Sequence, residues 1–133
     1  MITRHEIFTK LDTDVNTTAR PVYMTSRFEP TPENFPACYV TEISRQDVRR
    51  NVNLSFTQIV QQVGWEAQVF SNKTAGALDE AHGIMKDVET SFKEMQFIET
   101  FCSETPFSDP SIYRVVARFQ RIIAGADTLP QEE

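Results

Sequence analysis

The 133-residue chain is 40% hydrophobic and 24% charged, which is typical of one soluble globular domain. Its formal net charge of −6 argues against tight nonspecific binding of nucleic acid, because such binding usually needs a basic face. No run approaches the ~18 apolar residues of a membrane span, and the first ten residues lack the apolar core of a signal peptide. Two cysteines are too few for a disulfide framework, so Cys38 and Cys102 are expected to be reduced thiols.

The first 44 residues predict one helix and two strands. Thr3 and Glu6 have the spacing of a capping box, and apolar residues at helical spacing after them predict an amphipathic helix over residues 4–15. Residues 21–25 favour a short strand, since proline is tolerated at its first position. A proline-containing connection follows, and alternation over 37–44 predicts a second strand.

The stretch 45–58 is the least core-like part of the middle of the chain. Its arginines and alternating apolar residues are Arg45, Arg49, Arg50, Val52, Leu54 and Phe56. The length and composition of the stretch predict a long projecting β-arm or loop. One interpretation is a solvated, mobile loop. The other is a protein interface, because arginine and aromatic residues are enriched at interface cores.

The stretch 64–97 organises the rest of the chain. Residues 63–70 alternate as a half-buried strand, residues 71–74 form a polar turn, and from Ala77 the apolar period changes to about 3.6 residues. The apolar stripe of the resulting helix consists of Leu78, Ala81, Met85, Val88, Phe92 and Met95. Val88 and Phe92 are therefore predicted to pack on the strand that contains Trp65 and Ala67.

The C-terminal part predicts two more strands, over 97–102 and 112–123, joined by a turn with Pro106 and Pro110. Residues 125–133 are polar and predict a disordered tail after a single domain spanning 1–124. The predicted fold class is α+β: an antiparallel or mixed sheet of four to five strands, with two helices packed on one face and a long β-arm. Arg114 and Arg118 lie on the other face, which is either solvated or packed against a second copy.

Catalysis finds little support in the sequence. Asp79 and His82 share a helix face, but without further ligands at a recognisable spacing a surface ion pair is the better interpretation. Cys102 has no neighbouring histidine and is interpreted as a structural thiol. With four glycines in the chain, no glycine-rich phosphate loop is present. The chain is not predicted to be an enzyme, and no catalytic, cofactor-binding or metal-binding residue is assigned.

Three segments in this order resemble the tail terminator (tail completion) proteins of long-tailed bacteriophages. They are TSRFEPTPENFP at 25–36, WEAQVFSNKTAG at 65–76, and the stretch 97–119, which ends in DPSIYRVVARF. The resemblance covers about residues 20–124 and leaves 45–58 unmatched, so an interface there is inferred from position alone. The resemblance implies the same kind of fold: a small sheet with helices on one face and a long β-arm.

Such proteins cap the end of the tail tube as a ring, usually a hexamer, stop its growth and present a surface to the head–tail connector protein. The partners implied are therefore other copies of the chain, the tail tube protein and the connector, at the head-proximal end of the virion's tail. DNA would only pass through the lumen without specific binding, and no cofactor or membrane is involved. Two alternatives stay open: an adaptor ring on the head side, and a non-viral α+β domain with a regulatory or small-ligand role.

Overall fold

The computed structural model describes residues 2–27, 32, 34–47, 60–106, 109–124 and 127–129. Its elements in chain order are α1 (Arg4–Val15), β1 (Tyr23–Thr25), β2 (Ala37–Asp47), β3 (Val60–Ser71), α2 (Ala77–Glu94), β4 (Ile98–Thr105) and β5 (Tyr113–Ala124). The strands form one sheet in the order β1-β2-β3-β5-β4. β1 pairs with β2 in parallel, and the other pairs are antiparallel. The predicted α+β class with a mixed sheet is confirmed.

Local sequence signals account for α1. The Thr3 hydroxyl accepts a hydrogen bond from the Glu6 backbone N–H, and the Glu6 carboxylate accepts one from the Thr3 N–H. This capping box pairs two backbone donors that a helix start otherwise leaves without partners. Ile7, Leu11 and Val15 are buried along one stripe, so the predicted helix and its bounds are confirmed.

The strand–turn–helix unit at the centre of the chain is also confirmed. Gly76 precedes α2 with φ +78°, a left-handed backbone conformation that favours glycine. Val88 and Phe92 of α2 are fully buried, as are Trp65 and Ala67 of β3. The Phe92 ring stacks on Phe119 at a centroid distance of 4.1 Å. Both helices and the alternate core-facing residues of the sheet belong to one apolar cluster, so both helices cover the same sheet face.

β2 is longer than predicted, and this moves Arg45 out of the proposed arm. Pairing with β3 continues beyond Ser44, with Arg45 opposite Val63. A bulge at Ile43 adds one residue to β2 and inverts the alternation after it. Because Val63 belongs to the buried core, its partner Arg45 lies on the helix-covered face of the sheet.

Several of the sequence predictions concern residues for which the structure gives no description. Arg49, Arg50, Val52, Leu54 and Phe56 of the predicted arm lie outside the described residues. The same holds for 125–126 and 130–133 of the predicted tail. Neither described helix is long and apolar enough to cross a membrane.

Candidate interaction surface on the open sheet face

The face of the sheet opposite the helices, here called the open sheet face, is built from alternate residues of neighbouring strands. One cross-strand row runs from Thr41 through Glu66 and Arg118 to Phe101. A neighbouring row runs from Ser44 through Gly64 and Gln120 to Ile98. Residues directly opposite each other in antiparallel strands lie on the same face, so the register alone defines this surface.

The open sheet face carries most of the large apolar side chains that the described chain leaves exposed. Four of the five lie here: Ile43 at 49% exposure, Ile98 at 71%, Phe101 at 47% and Ile122 at 43%. Ile98 and Phe101 belong to the edge strand β4, and Ile122 lies on the adjacent strand β5. Apolar side chains that cluster on one exposed face, rather than being scattered singly, indicate an interaction surface.

Arg118 is held at the middle of this face by two neighbours. Its Nε donates a hydrogen bond of 3.0 Å to the Glu66 carboxylate, and its guanidinium lies 5.8 Å from the centre of the Phe101 ring. Gln68 donates to the other Glu66 oxygen at 2.8 Å. Within the described part of the chain, the two terminal nitrogens of Arg118 make no hydrogen bond. These two nitrogens are therefore oriented donors from which a carboxylate or carbonyl group of a partner protein could accept hydrogen bonds.

Arg114 lies on the same face but at its covered end. Arg114 is paired with Phe70 across the β3–β5 ladder, and its Nη2 donates to the Pro106 carbonyl at 2.9 Å. A small apolar cluster covers this end of the face; its buried members are Ala37, Phe70 and Ile112, and Tyr23, Phe35 and Tyr39 pack against them. The exposed part of the open sheet face is therefore the end with Ile98, Phe101 and Ile122.

Arg45 is separated from Arg114 and Arg118 by the sheet itself. Its guanidinium donates to the Glu42 carboxylate at 2.8 and 3.0 Å, to the Gln61 side chain at 3.0 Å and to the Ile2 carbonyl at 3.3 Å. Its side chain is 22% exposed. These contacts join the start of α1 to the β2–β3 pair, so the observed role of Arg45 is to link elements within the chain.

Ile43, Ile98, Phe101 and Ile122 are the surface residues that the sequence analysis missed. The apolar pattern of a strand does not indicate whether a helix will cover the sheet face to which its side chains belong. The signal that was available is the alternation within β5, which placed Arg114 and Arg118 on the face away from the core. The same alternation assigns Ile122 to that face, four residues after Arg118.

A second group of polar side chains lies on the helix-covered side of β4. Ligand atoms of Glu89, Glu99 and Cys102 lie within 4.8 Å of one another, and no other described group of three such residues could hold a metal ion. Burial, and then the nearby Glu89 carboxylate, raise the pKa of Glu99. His82 pairs with Glu104, with 2.7 Å between Nε2 and Oε1, and not with Asp79 as predicted.

The two thiols should differ in reactivity. Burial raises the pKa of Cys38 to about 12, and Cys38 is fully enclosed. Cys102 is exposed, but partial burial and the Glu99 and Glu89 carboxylates raise its pKa as well. A maleimide should label one thiol per native chain, and its rate should rise with pH as the thiolate fraction of Cys102 grows. Cys102→Ser should abolish native labelling; rapid labelling of that variant would contradict the burial of Cys38.

Comparison with known proteins assigns the chain to no family and gives its surface no function. No family model matches the chain, and no curated protein matches it significantly. The resemblance to tail terminators therefore stays a prediction, and the open sheet face is the structural feature on which a function can be argued.

Proposed function

We propose that this protein is a structural component of a bacteriophage tail. It caps the head-proximal end of the tail tube as a ring, stops tube polymerisation and presents a surface for joining to the head. The observation that carries the proposal is the open sheet face, which carries four exposed apolar side chains and an oriented arginine. The ordered sequence segments that resemble tail terminators supply the identity of the partners.

The two faces of the sheet suit such a role in different ways. The helix-covered face is closed by a single apolar core that includes Trp65, Phe92 and Phe119, whereas the end of the open sheet face with Ile98, Phe101 and Ile122 is exposed. A ring is built from heterologous contacts, in which two different patches of each copy meet. The open sheet face provides one large patch for contact with a second copy or with the tube.

The charge of the chain is compatible with this position in the tail. With a formal net charge of −6, rings of the protein would repel the DNA that passes through their lumen, and DNA would not adhere to the channel. The role requires no catalytic step and no cofactor. It places the protein in the virion, at the end of the tail that faces the head.

The test is to remove the gene from the phage that encodes it and to examine the lysate by electron microscopy. Overlong or unattached tails are expected, together with separate filled heads, and wild-type protein supplied in trans should restore joined particles. Tails of normal length joined to heads would overturn the proposal. Tails of normal length beside unjoined heads would instead favour the adaptor ring on the head side.

A further inference from the structure

The edge strand β4 offers an edge along which another chain could pair. It is the last strand in the order β1-β2-β3-β5-β4, so it pairs with β5 on one side and with no described strand on the other. Its residues are exposed from Ile98 to Glu104. Such an edge is a template for the addition of a further strand. We propose that residues 48–59 of a second copy of this chain, here called the arm segment, add to β4 as that strand.

The two faces of β4 differ in chemistry. Ile98 and Phe101 lie on the open sheet face. Glu99, Cys102 and Glu104 lie on the helix-covered side, because their partners on β5 are buried residues of the core. A strand that pairs well with this edge therefore needs apolar side chains on one face and polar or cationic side chains on the other.

The arm segment has this pattern. Its even positions carry Val52, Leu54 and Phe56, and the odd positions between them are asparagine, while position 55 is serine and position 51 is asparagine. The segment also contains Arg49 and Arg50 and no acidic residue. Successive strand residues point to opposite faces. The apolar group would thus extend the open sheet face and cover its exposed edge, while the polar group would meet the acidic side of β4.

Charge favours the arm segment over a second β4 strand. Two paired β4 strands would bring Glu99 and Glu104 of both copies close together, and like charges opposite each other across a ladder are destabilising. Arg49 falls on the face of the arm segment that would meet these carboxylates, and Arg50 adds a second positive charge. The two glutamates of β4 therefore disfavour self-pairing of this edge and attract a basic strand.

The arm segment cannot reach this edge in its own chain. It connects Asp47 of β2 to Val60 of β3, and Val60 is opposite Ala124 in the β3–β5 ladder. The outer edge of β4 is three strand spacings from β3, and β4 begins opposite Gln120, four residues before Ala124. The distance from Val60 to that edge is therefore about 20 Å. Phe56, four residues from Val60, reaches at most about 14 Å, so the added strand belongs to a second copy.

Disulfide trapping in the purified full-length protein tests the pairing. Cys102 is exposed on the acidic side of β4, whereas Cys38 is buried. Asn53→Cys introduces a thiol on the face of the arm segment that would meet Cys102, and Asn51→Cys and Ser55→Cys sample the neighbouring registers. After oxidation with diamide, at least one of the three variants should give dimers and larger oligomers on a non-reducing gel, since cross-strand neighbours lie within disulfide distance. Cys102→Ser should abolish these oligomers.

Two controls separate strand pairing from chance collision. Val52→Cys is a conservative change that puts the thiol on the other face of the arm segment, so it should cross-link at least about tenfold less. Arg49→Glu with Arg50→Glu, added to the best linking variant, should lower the yield at least about fivefold. Arg4→Glu with Arg27→Glu makes the same change in net charge at exposed positions on α1 and after β1, and should leave the yield unchanged.

Four results would overturn the proposal: no oligomers from any of the three odd-position variants, equal yields from Val52→Cys, oligomers that persist with Cys102→Ser, or a monomer that has lost both accessible thiols through a link within one chain. Melting temperatures of the reduced variants establish that each is folded. The inference does not depend on the proposed role in the phage tail, and its test uses no phage component. A failure of either proposal is therefore distinguishable from a failure of the other.

Discussion

Replacing Phe92 by alanine is expected to lower the free energy of unfolding by roughly 3–5 kcal/mol, as truncation of a fully buried aromatic side chain does. Phe92 has no exposed surface. Its ring stacks on Phe119 and meets Phe97 edge-on at a centroid distance of 5.1 Å, with Trp65 at 6.2 Å. The alanine variant would leave a cavity where α2, β3 and β5 meet. Urea denaturation followed by circular dichroism measures the loss.

Lys86→Ala is the control for this experiment, since Lys86 is an exposed residue of the same helix. Its effect should stay within about 0.5 kcal/mol, as for most surface substitutions. Equal stability of the Phe92→Ala variant and the wild type would mean that α2 does not pack on the sheet through this face.

The second large effect concerns assembly. A variant with Phe101→Ser and Ile122→Thr should stay folded but fail to cap tails, with its affinity for the tube end reduced at least about tenfold. Both side chains are nearly half exposed and neither belongs to a buried apolar cluster, so their replacement should leave the core of the folded subunit intact. Truncation of anchor residues at an interface costs about 2 kcal/mol or more each. Tail lengths in lysates complemented with the variant, and its melting temperature, are the two measurements.

Tyr113→Ser is the matched control, because Tyr113 is also a large side chain with 46% exposure. Tyr113 is opposite Ser71 in the β3–β5 ladder, and buried Ser71 places it on the helix-covered side of the sheet. Tails capped normally by the double variant would argue against the open sheet face. The contact would then have to be sought in the stretch 45–58, where the sequence placed it.

The sequence by itself determined the features that depend on residues close together in the chain. The capping box of Thr3 and Glu6 closes within four residues, and the stripe of α2 follows from the fixed helical period. The alternation of β5 likewise placed Arg118 on the face away from the core. These signals need no knowledge of which strands become neighbours, and the structure confirms each of them.

Only the tertiary structure decided which surfaces are exposed and which side chains meet. The bulge at Ile43 turned Arg45 toward Glu42 and Ile2, away from the face that carries Arg118. The strand order placed β4 at the edge of the sheet, which left Ile98 and Phe101 exposed. The small apolar cluster on the open sheet face likewise combines Ala37, Phe70 and Ile112 from three separate parts of the chain. Strand order, bulges and clusters depend on contacts between distant residues, and local periodicity carries no information about those contacts.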